Sequence, residues 1–592
     1  MHRLALVLLA AVLAGVLTAA LREAPPAAPP NVLLILTDDQ GWGDVRSHGN
    51  PLIDTPRLDR LAREGARFER FYVSPVCAPT RASLLTGRYA LRTGVHGVTR
   101  GYETMRGDEV TLAEILRGAG YATGLFGKWH NGAHHPHDPT GQGFDTYFGF
   151  ALGHLNNYFD PLLEYGGTPA RTDGFVTDVL TDSALAFIRR HRDRPFFAYV
   201  PYNAPHSPFQ VPDRYFEKYV ARGLSARTAA AYGMVENIDD NVGRLLDALD
   251  ALGLRENTLV LFLTDNGPNG DRYNGGMRGA KASVHEGGVR VPLFMRWPGV
   301  IPAGRTVRTP AAHIDLLPTI ADLAGVPVPE GPALDGQSLA PLLRGDEGGM
   351  PPRRFFTHWS GPFEVRPYPG AVRTARWRAV HDGTAWALYD LVHDPAERVD
   401  VAADEPETMR MLAAAYDEWF ADVTAGGFSL IPTEVGHAER PEVVLPGHEA
   451  LLHPATGEGI GYMERNGWAN DWITRWTDPA AYAAWPIDVV RSGRYAVAVR
   501  YSARADQIGA RLRIEAGEAR VEGRIDALHD PSFLPAPDRV PRGEVHEKDW
   551  ATQALGTFTL VPGPQTLRLR ALSMPGGAAP DVKAVLLQRL GD

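Results

Sequence analysis

Cysteine is almost missing from this chain. Cys77 is the only one among 592 residues, so no intrachain disulfide can form. Positive charge is not in excess either. Sixty Lys and Arg stand against seventy Asp and Glu, a net charge of −10, so no sequence-wide electrostatic case exists for nucleic acid or an anionic membrane. No collagen-like period, low-complexity tract or internal repeat runs through the chain. Disorder is excluded as the main state by an ordinary globular composition, 44% hydrophobic and 22% charged. The length predicts about three units, or one large α/β domain with a smaller partner. The 62 Gly and 48 Pro point to many loops and turns.

One long apolar run is present, at the amino terminus. Met1-His2-Arg3 is followed by apolar residues from Leu4 to Leu21, with small residues at Thr18-Ala19-Ala20. This pattern predicts a secretory signal peptide over residues 1–20 and a Pro/Ala-rich linker over 21–30. An uncleaved anchor is the alternative, although such a run is at the short limit for ~30 Å of hydrocarbon. No Cys follows the run, so lipidation is not expected. The expected location is periplasmic or secreted, with no membrane span after cleavage. Export permits disulfides, so a lone thiol calls for explanation. The bland reading is a buried, inert Cys.

Asn31–Thr37 (NVLLILT) and Thr258–Thr264 (TLVLFLT) are continuous apolar runs suited to strands covered on both faces. Both end in acidic turns, Asp38-Asp39-Gln40-Gly41 and Asp265-Asn266-Gly267. In open α/β sheets, ligands sit at the carboxyl ends of such strands. Further strands are predicted at Ala122–Phe126, Pro195–Val200 and Val291–Arg296. Helical spacing marks Thr111–Ala119, Val176–Arg190, Ala229–Leu252 and Ile314–Ala324, with a last helix from Pro406 to about Asp422. The alternation implies βαβ units. Beyond a loop-like stretch, Tyr495–Tyr501, Ala510–Glu515, Gln565–Ala571 and Lys583–Gln588 alternate as in an antiparallel β-sandwich. The boundary is placed near residue 440.

Asp38, Asp39, Asp265 and Asn266 bring hard oxygen ligands to two strand ends, a set suited to Ca²⁺ or Mg²⁺. In Cys77-Ala78-Pro79-Thr80-Arg81, the Arg faces the Cys if a helix begins there. Helix terminus and cation together suggest an anion site with an activated thiol. Gly127-Lys128-Trp129-His130, Asn203-Ala204-Pro205-His206-Ser207-Pro208 and Arg278-Gly279-Ala280-Lys281 place Lys or His just after strands or in polar loops. Alone, each is an ordinary surface residue; their shared position at strand ends argues otherwise.

Together these segments resemble the type I sulfatases of the alkaline phosphatase superfamily. The carrying stretches are NVLLILTDDQGWGD, CAPTRASLLTGRY, GKWH, PHSP, TDNG and RGAKASVHEGGVRVP, in the family's order over roughly residues 31–420. Thr80 stands where Ser is commoner in the family. The resemblance implies an alkaline phosphatase-like α/β fold with a large, mostly parallel sheet. It implies oxidation of Cys77 to Cα-formylglycine by a maturation enzyme. One hydroxyl of the hydrated aldehyde would attack sulfur and release the alcohol; the second would expel inorganic sulfate. Asp38, Asp39, Asp265, Asn266 and the position-77 oxygen would hold a divalent cation, in this family usually Ca²⁺ rather than Mg²⁺. Arg81 and Lys128 would orient the diol, and His130 would accept the proton of its second hydroxyl. His206 and Lys281 would bind the sulfate and protonate the leaving oxygen. His154 is implied as a substrate-pocket residue.

The substrate class expected is a sulfated carbohydrate or another sulfate ester. The rivals are a phosphonate or phosphate ester hydrolase of the same superfamily, a non-catalytic glycan-binding protein and a thiol-dependent hydrolase. His134, His135 and His137 look like a metal cluster but are expected to be loop or substrate-rim residues. Trp468, Trp472, Trp476 and Trp485 cluster in the carboxyl-terminal unit; exposed they would stack on sugars, and buried they would fill a core, which is the expectation.

Overall fold

The computed structural model describes residues 29–346, 348–464 and 466–591. The segment read as a signal peptide, residues 1–20, lies outside the described residues. Among the described residues, no helix is long and apolar enough to cross a membrane.

β1 spans Asn31–Thr37, with all seven residues buried. Its side chains alternate between two cores. Val32, Leu34 and Leu36 join one cluster with Leu84, Leu116 and Leu317, and Leu33 and Ile35 join another with Leu180, Ile238 and Leu246. Both faces are covered by helices, which is why the sequence shows a continuous apolar run instead of alternation. β2 (Ala66–Tyr72), β3 (Ala122–Lys128), β4 (Thr146–Phe150), β5 (Leu162–Tyr165), β6 (Thr168–Arg171), β7 (Phe196–Pro201), β8 (Thr258–Thr264), β9 (Arg290–Arg296), β10 (Arg305–Val307) and β11 (Ala311–Ala312) complete the sheet. The order is β10-β2-β9-β8-β1-β7-β3-β4-β5-β6, with β11 also on β2.

β1 runs parallel to β7 and β8, and β3 parallel to β4 and β7. β9 is antiparallel to both β2 and β8, and β5 is antiparallel to β4 and β6, so the sheet is mixed and mostly parallel at its centre. β1 and β8 are adjacent, with Thr37 beside Thr264. That register puts Asp38-Asp39 next to Asp265-Asn266.

A four-stranded antiparallel sheet follows: β12 (Phe355–His358), β13 (Gly370–Arg373), β14 (Trp377–His381) and β15 (Trp386–Asp390). The sequence reading did not anticipate it. The helix Pro406–Val423 covers it with Leu412, Tyr416 and Trp419.

Two six-stranded sheets form the carboxyl-terminal unit. Thr433–Val435, Tyr482–Val489, Gly563–Ser573, Arg511–Ala516 and Ala519–Arg524 succeed one another in the first, with Leu451–His453 also on Tyr482–Val489. Asp581–Gly591 and Gly493–Ser502 are central in the second. Most pairings are antiparallel; Thr433–Val435 pairs in parallel with Tyr482–Val489. Leu512, Leu567 and Ile487 of one sheet share a core with Val497, Val585 and Leu587 of the other, a sandwich arrangement. Trp472, Trp476 and Trp485 are at most 1% exposed and fill cores as expected, whereas Trp468 is only half-buried.

Candidate active site

The carboxyl ends of β1 and β8 carry a dense, buried charge cluster. Asp38, Asp39, Asp265, Asn266, Arg81 and Lys128 are 0% exposed. Cys77 opens the helix Cys77–Thr86, which places Arg81 one turn further on. Arg81 donates from Nε and Nη2 to Asp265 Oδ2 at 3.1 and 2.7 Å and from Nη1 to the Lys128 carbonyl at 2.9 Å. Lys128, at the end of β3, reaches Asp38 Oδ2 at 2.5 Å. Lys281 reaches Asp39 Oδ1 at 2.6 Å, and His206 Nε2 lies 3.8 Å from Asp39 Oδ2. The Asn266 amide donates to Asp39 Oδ1 at 2.8 Å. Ligand atoms of Asp38, Cys77 and Asp265 lie within 4.8 Å of one another, as do those of Asp38, Asp39 and His206.

The electrostatics follow from burial and the competing ions. Burial pushes Asp38 up, but Lys128, His206 and Arg81 pull it below its ordinary value. Lys281 and His206, with the Asn266 hydrogen bond, likewise outweigh burial and hold Asp39 well below the usual carboxylate range. Asp265 is pushed up to about 7 by burial and by Asp38, against the pull of Arg81. Burial, then Lys128, holds His130 neutral, well below its ordinary value. Burial also raises the Cys77 thiol, against Lys128 and Lys281. The expectation of an activated thiol is therefore not met: the unmodified sulfur is buried and adjoins two carboxylates.

Three oxygens in this cluster have no hydrogen-bond donor: Asp38 Oδ1, Asp39 Oδ2 and Asn266 Oδ1. All are buried acceptors, the chemistry of a site for a hard cation. Asp265 differs. Its oxygens already accept from the Asp39 N–H at 3.2 Å and from Arg81. Asp39 and His130 take positive φ values of 62° and 66°, which non-glycine residues adopt rarely and mostly under local constraint. Two glycines allow close approaches here. A Cβ at Gly267 would lie 2.1 Å from the Gly287 carbonyl, and one at Gly153 would lie 2.6 Å from His130 Nε2.

His130 and His206 each have a defined tautomer. His130 Nε2 lies 2.8 Å from the Val98 carbonyl, so it carries the proton and leaves Nδ1, buried and unpartnered, as an acceptor. His206 Nδ1 lies 2.6 Å from the Ser207 carbonyl, which leaves Nε2 toward Asp39. His154 stacks near His206, with ring centroids 6.3 Å apart, and its buried Nε2 has no partner. The eleven residues named from the sequence therefore fall into one neighbourhood, with His154 on its rim.

Several supporting residues carried no recognisable signal. The Tyr158 hydroxyl donates to the His206 carbonyl at 2.8 Å and fixes that loop. The Asn131 amide donates to the Ala78 carbonyl at 3.0 Å and ties β3 to the Cys77 helix. The carboxyl-terminal unit walls the far side: Asn470 donates to the His154 carbonyl at 3.0 Å, Asn156 to Glu547 at 2.9 Å and Gln210 to Asp538 at 2.7 Å. Ser207 donates to Glu544, whose other oxygen is buried without a partner. Only the position of Asn131 directly after GKWH offered a hint; Tyr158 lies 48 residues from His206, and the contacts to the carboxyl-terminal unit each span more than 300.

An α/β hydrolase with acidic residues at the ends of two parallel strands, cations around them and a helix-borne residue at their centre is the class that this geometry defines. The comparisons with known proteins agree. The Sulfatase family profile matches residues 30–326, and that of the N-sulphoglucosamine sulphohydrolase C-terminal region matches 280–418. Human arylsulfatase A is 35% identical over 501 residues, covering 71% of this chain and 93% of the relative. Mouse steryl-sulfatase is 34% identical over 488 residues, covering 65% and 75%. The solved structure of Ps i-CgsB in complex with k-i-k-neocarrahexaose superposes with a TM-score of 0.64 at 31% identity, over 68% of this chain and 95% of that one. The chain belongs to the sulfatase family, type I, of the alkaline phosphatase superfamily. It is a sulfuric ester hydrolase: it cleaves a sulfate ester to an alcohol and inorganic sulfate.

Proposed function

We propose that this sulfatase acts on a sulfated carbohydrate, with Cys77 oxidised to Cα-formylglycine and one divalent cation, Ca²⁺ in preference to Mg²⁺, in the pocket. The observation that carries the cation is the set of three orphaned oxygens on Asp38, Asp39 and Asn266. A buried acceptor without a donor costs about 1–3 kcal/mol, and an ion removes that deficit. Asp38, Asp39, Asp265, Asn266 and position 77 would hold it; Ca²⁺ accepts an irregular oxygen set, whereas Mg²⁺ demands near-ideal octahedral geometry. Bound there, the cation would act as a Lewis acid toward a sulfate oxygen and the position-77 hydroxyl. The hydrated aldehyde supplies the attacking hydroxyl and a second one through which sulfate departs.

The remaining work falls to ordinary side chains. Arg81, fully engaged by Asp265 and the Lys128 carbonyl, holds the carboxylate frame in place. Lys128 offsets charge at Asp38 beside position 77. His130, neutral and free at Nδ1, accepts the proton of the second hydroxyl. Lys281 and His206 bind the sulfate, and protonated His206 donates from Nε2 to the leaving oxygen. His154 lies beyond His206, on the leaving-group side. A carbohydrate fits because the walls supplied by Asn156, Asn470, Glu544 and Glu547 are polar and hydrogen-bonding. The oligosaccharide complex of Ps i-CgsB supports the same reading.

Cys77 is 4% exposed in the folded chain, so a formylglycine-generating enzyme must act before folding is complete. That order suits an exported enzyme, periplasmic or secreted, with residues 1–20 as its signal. The same reading divides the chain into a catalytic unit (31–440 as expected from sequence) and a β-sandwich (441–592), with the boundary drawn back to before Thr433–Val435, which already pairs within the sandwich.

Mass spectrometry of the Cys77 peptide from the native host tests the mechanism. An aldehyde mass with release of inorganic sulfate from sulfated sugars is expected. An intact thiol with full activity would overturn it. Turnover of aryl phosphonates but not aryl sulfates would return the reading to the phosphonate hydrolases.

A further inference from the structure

The histidines of the loop His134–His137 are not used by the sulfatase chemistry, and the structure separates them. His134 pairs with Glu449 at 2.7 Å, and His137 Nδ1 bonds the Met105 carbonyl at 2.9 Å. His135 instead meets the segment just after the strand Thr433–Val435. Its ring lies 4.8 Å from that of His437, nearly perpendicular to it. One ligand atom each from His135, His437 and Glu439 lies within 4.8 Å of the other two.

From this grouping we propose a second metal site, for a borderline transition ion such as Zn²⁺, between His135, His437 and Glu439. Two imidazoles and a carboxylate form the donor set that Zn²⁺ takes in three-ligand sites, with a fourth position open to water. The oxygen-rich pocket beside Cys77 selects a different kind of ion. Tetrahedral Zn²⁺ with bonds of about 2.0–2.1 Å needs ligand atoms roughly 3.4 Å apart. Ligand atoms that lie within 4.8 Å of one another reach that spacing by a shift of at most about 1.4 Å in a partly exposed loop.

A second observation points the same way. Each imidazole is held at one nitrogen by a carboxylate: His437 Nε2 by Glu434 at 2.7 Å, and His135 Nδ1 by Asp138 at 3.5 Å. This carboxylate–imidazole backing fixes the tautomer and leaves His437 Nδ1 and His135 Nε2 as the bases that an ion would take. Asp138 is itself fixed by Thr140 Oγ1 at 2.7 Å and the Gly141 N–H at 2.8 Å. Asp138, Glu434 and Glu439 bring three carboxylates to this grouping, and Arg440 reaches Asp138 at 3.4 Å. The local field therefore favours a dication. An ion bound here would clasp the histidine-rich loop to the segment that leads into the carboxyl-terminal sheets.

The test is Zn²⁺ titration of the full-length enzyme by calorimetry, in saturating Ca²⁺ so that the oxygen pocket is filled. Wild type should take one more equivalent of Zn²⁺ than His437→Ala or His135→Ala. Glu434→Gln should keep the stoichiometry and weaken the affinity by about 10–100-fold. Co²⁺ at the same site should show the intense visible bands of a tetrahedral ion, absent in His437→Ala. Aryl-sulfatase activity in Ca²⁺ should be unchanged in all three variants, which reports that they fold. Equal Zn²⁺ stoichiometry and Co²⁺ spectra in wild type and His437→Ala would overturn the site.

Discussion

Two buried ion clusters lie on the same side of the chain's chemistry and differ in what they leave over. At the ends of β1 and β8, Asp38, Asp39 and Asp265 face Arg81, Lys128 and Lys281, and oxygens remain without donors. Around β13 and β14, Glu286 and Glu397 face Arg378 at 3.1 Å each, with Arg373 3.7 Å from Glu286. There the leftover polar atoms are mainly nitrogens, Arg373 Nε and Nη1 among them; Glu397 Oε1 lies against Arg378 Nε. Burial pushes Glu286 up, and Arg373 and Arg378 pull it back below its ordinary value. Both clusters are largely buried, although Lys281 of the first is partly exposed. The first has acceptors that still need a cation, and the second already contains its cations. Burial of charge alone therefore does not mark a catalytic site; the identity of the unpaired atoms does.

Substitutions in the two clusters should separate accordingly. Cys77→Ala should lower sulfate-ester turnover by on the order of 10⁴–10⁶-fold with Tm little changed, read by initial rates and calorimetry. Comparable turnover in this variant would remove position 77 from the chemistry. Arg378→Met should act in the opposite way. Removing the cation of Glu397, and one of those around Glu286, should cost about 3–5 kcal/mol of stability. Bound Ca²⁺ per chain should stay the same; loss of Ca²⁺ would show that the two clusters are one system. Next in size, chelation should abolish turnover and lower Tm. Ca²⁺ at about 100 times its Kd should restore roughly 2.7 kcal/mol. A Tm indifferent to chelator would mean that the orphaned oxygens hold no ion.

The smallest effect tests a buried acid outside both clusters. Burial, with Glu449 nearby, pushes Glu103 up to about 8. Its unfolded value is near 4.5, so the folded chain binds more protons between these limits. Stability should be greatest below about pH 4.5 on this account and fall as pH rises toward about 8. Glu103→Gln should flatten that decline, a gain on the order of 1–3 kcal/mol at pH 8. Parallel pH–stability curves for the variant and wild type would show that Glu103 stays ionised.

Much of this was legible from local pattern. NVLLILT and TLVLFLT became β1 and β8 at the expected limits, because a strand buried on both faces must be apolar throughout. Val176–Arg190 is a helix over the whole stretch that its spacing marked. The ordered motifs named ten residues, and the fold draws them together, with His154 beside them. Legibility failed where the deciding neighbour was remote. The thiol of Cys77 looked activated from Arg81 and the helix start, but burial and the carboxylates of Asp38 and Asp265 reverse the shift. Strands β12–β15 are only four or five residues long, so no period had room to show. Glu286 stood inside a motif, yet it serves the arginine cluster.

By itself, the sequence determined the family, the central strands and the residue types at their ends, since periodicity and motif order are properties of the chain. Tertiary structure alone decided which acids keep free oxygens, which tautomer His130 and His206 take, and that Asn470 and Glu544 bond the His154 carbonyl and Ser207 from more than 300 residues away. The reason is physical. Desolvation and hydrogen-bond satisfaction depend on every group packed around an atom, and most of those groups come from elsewhere in the chain.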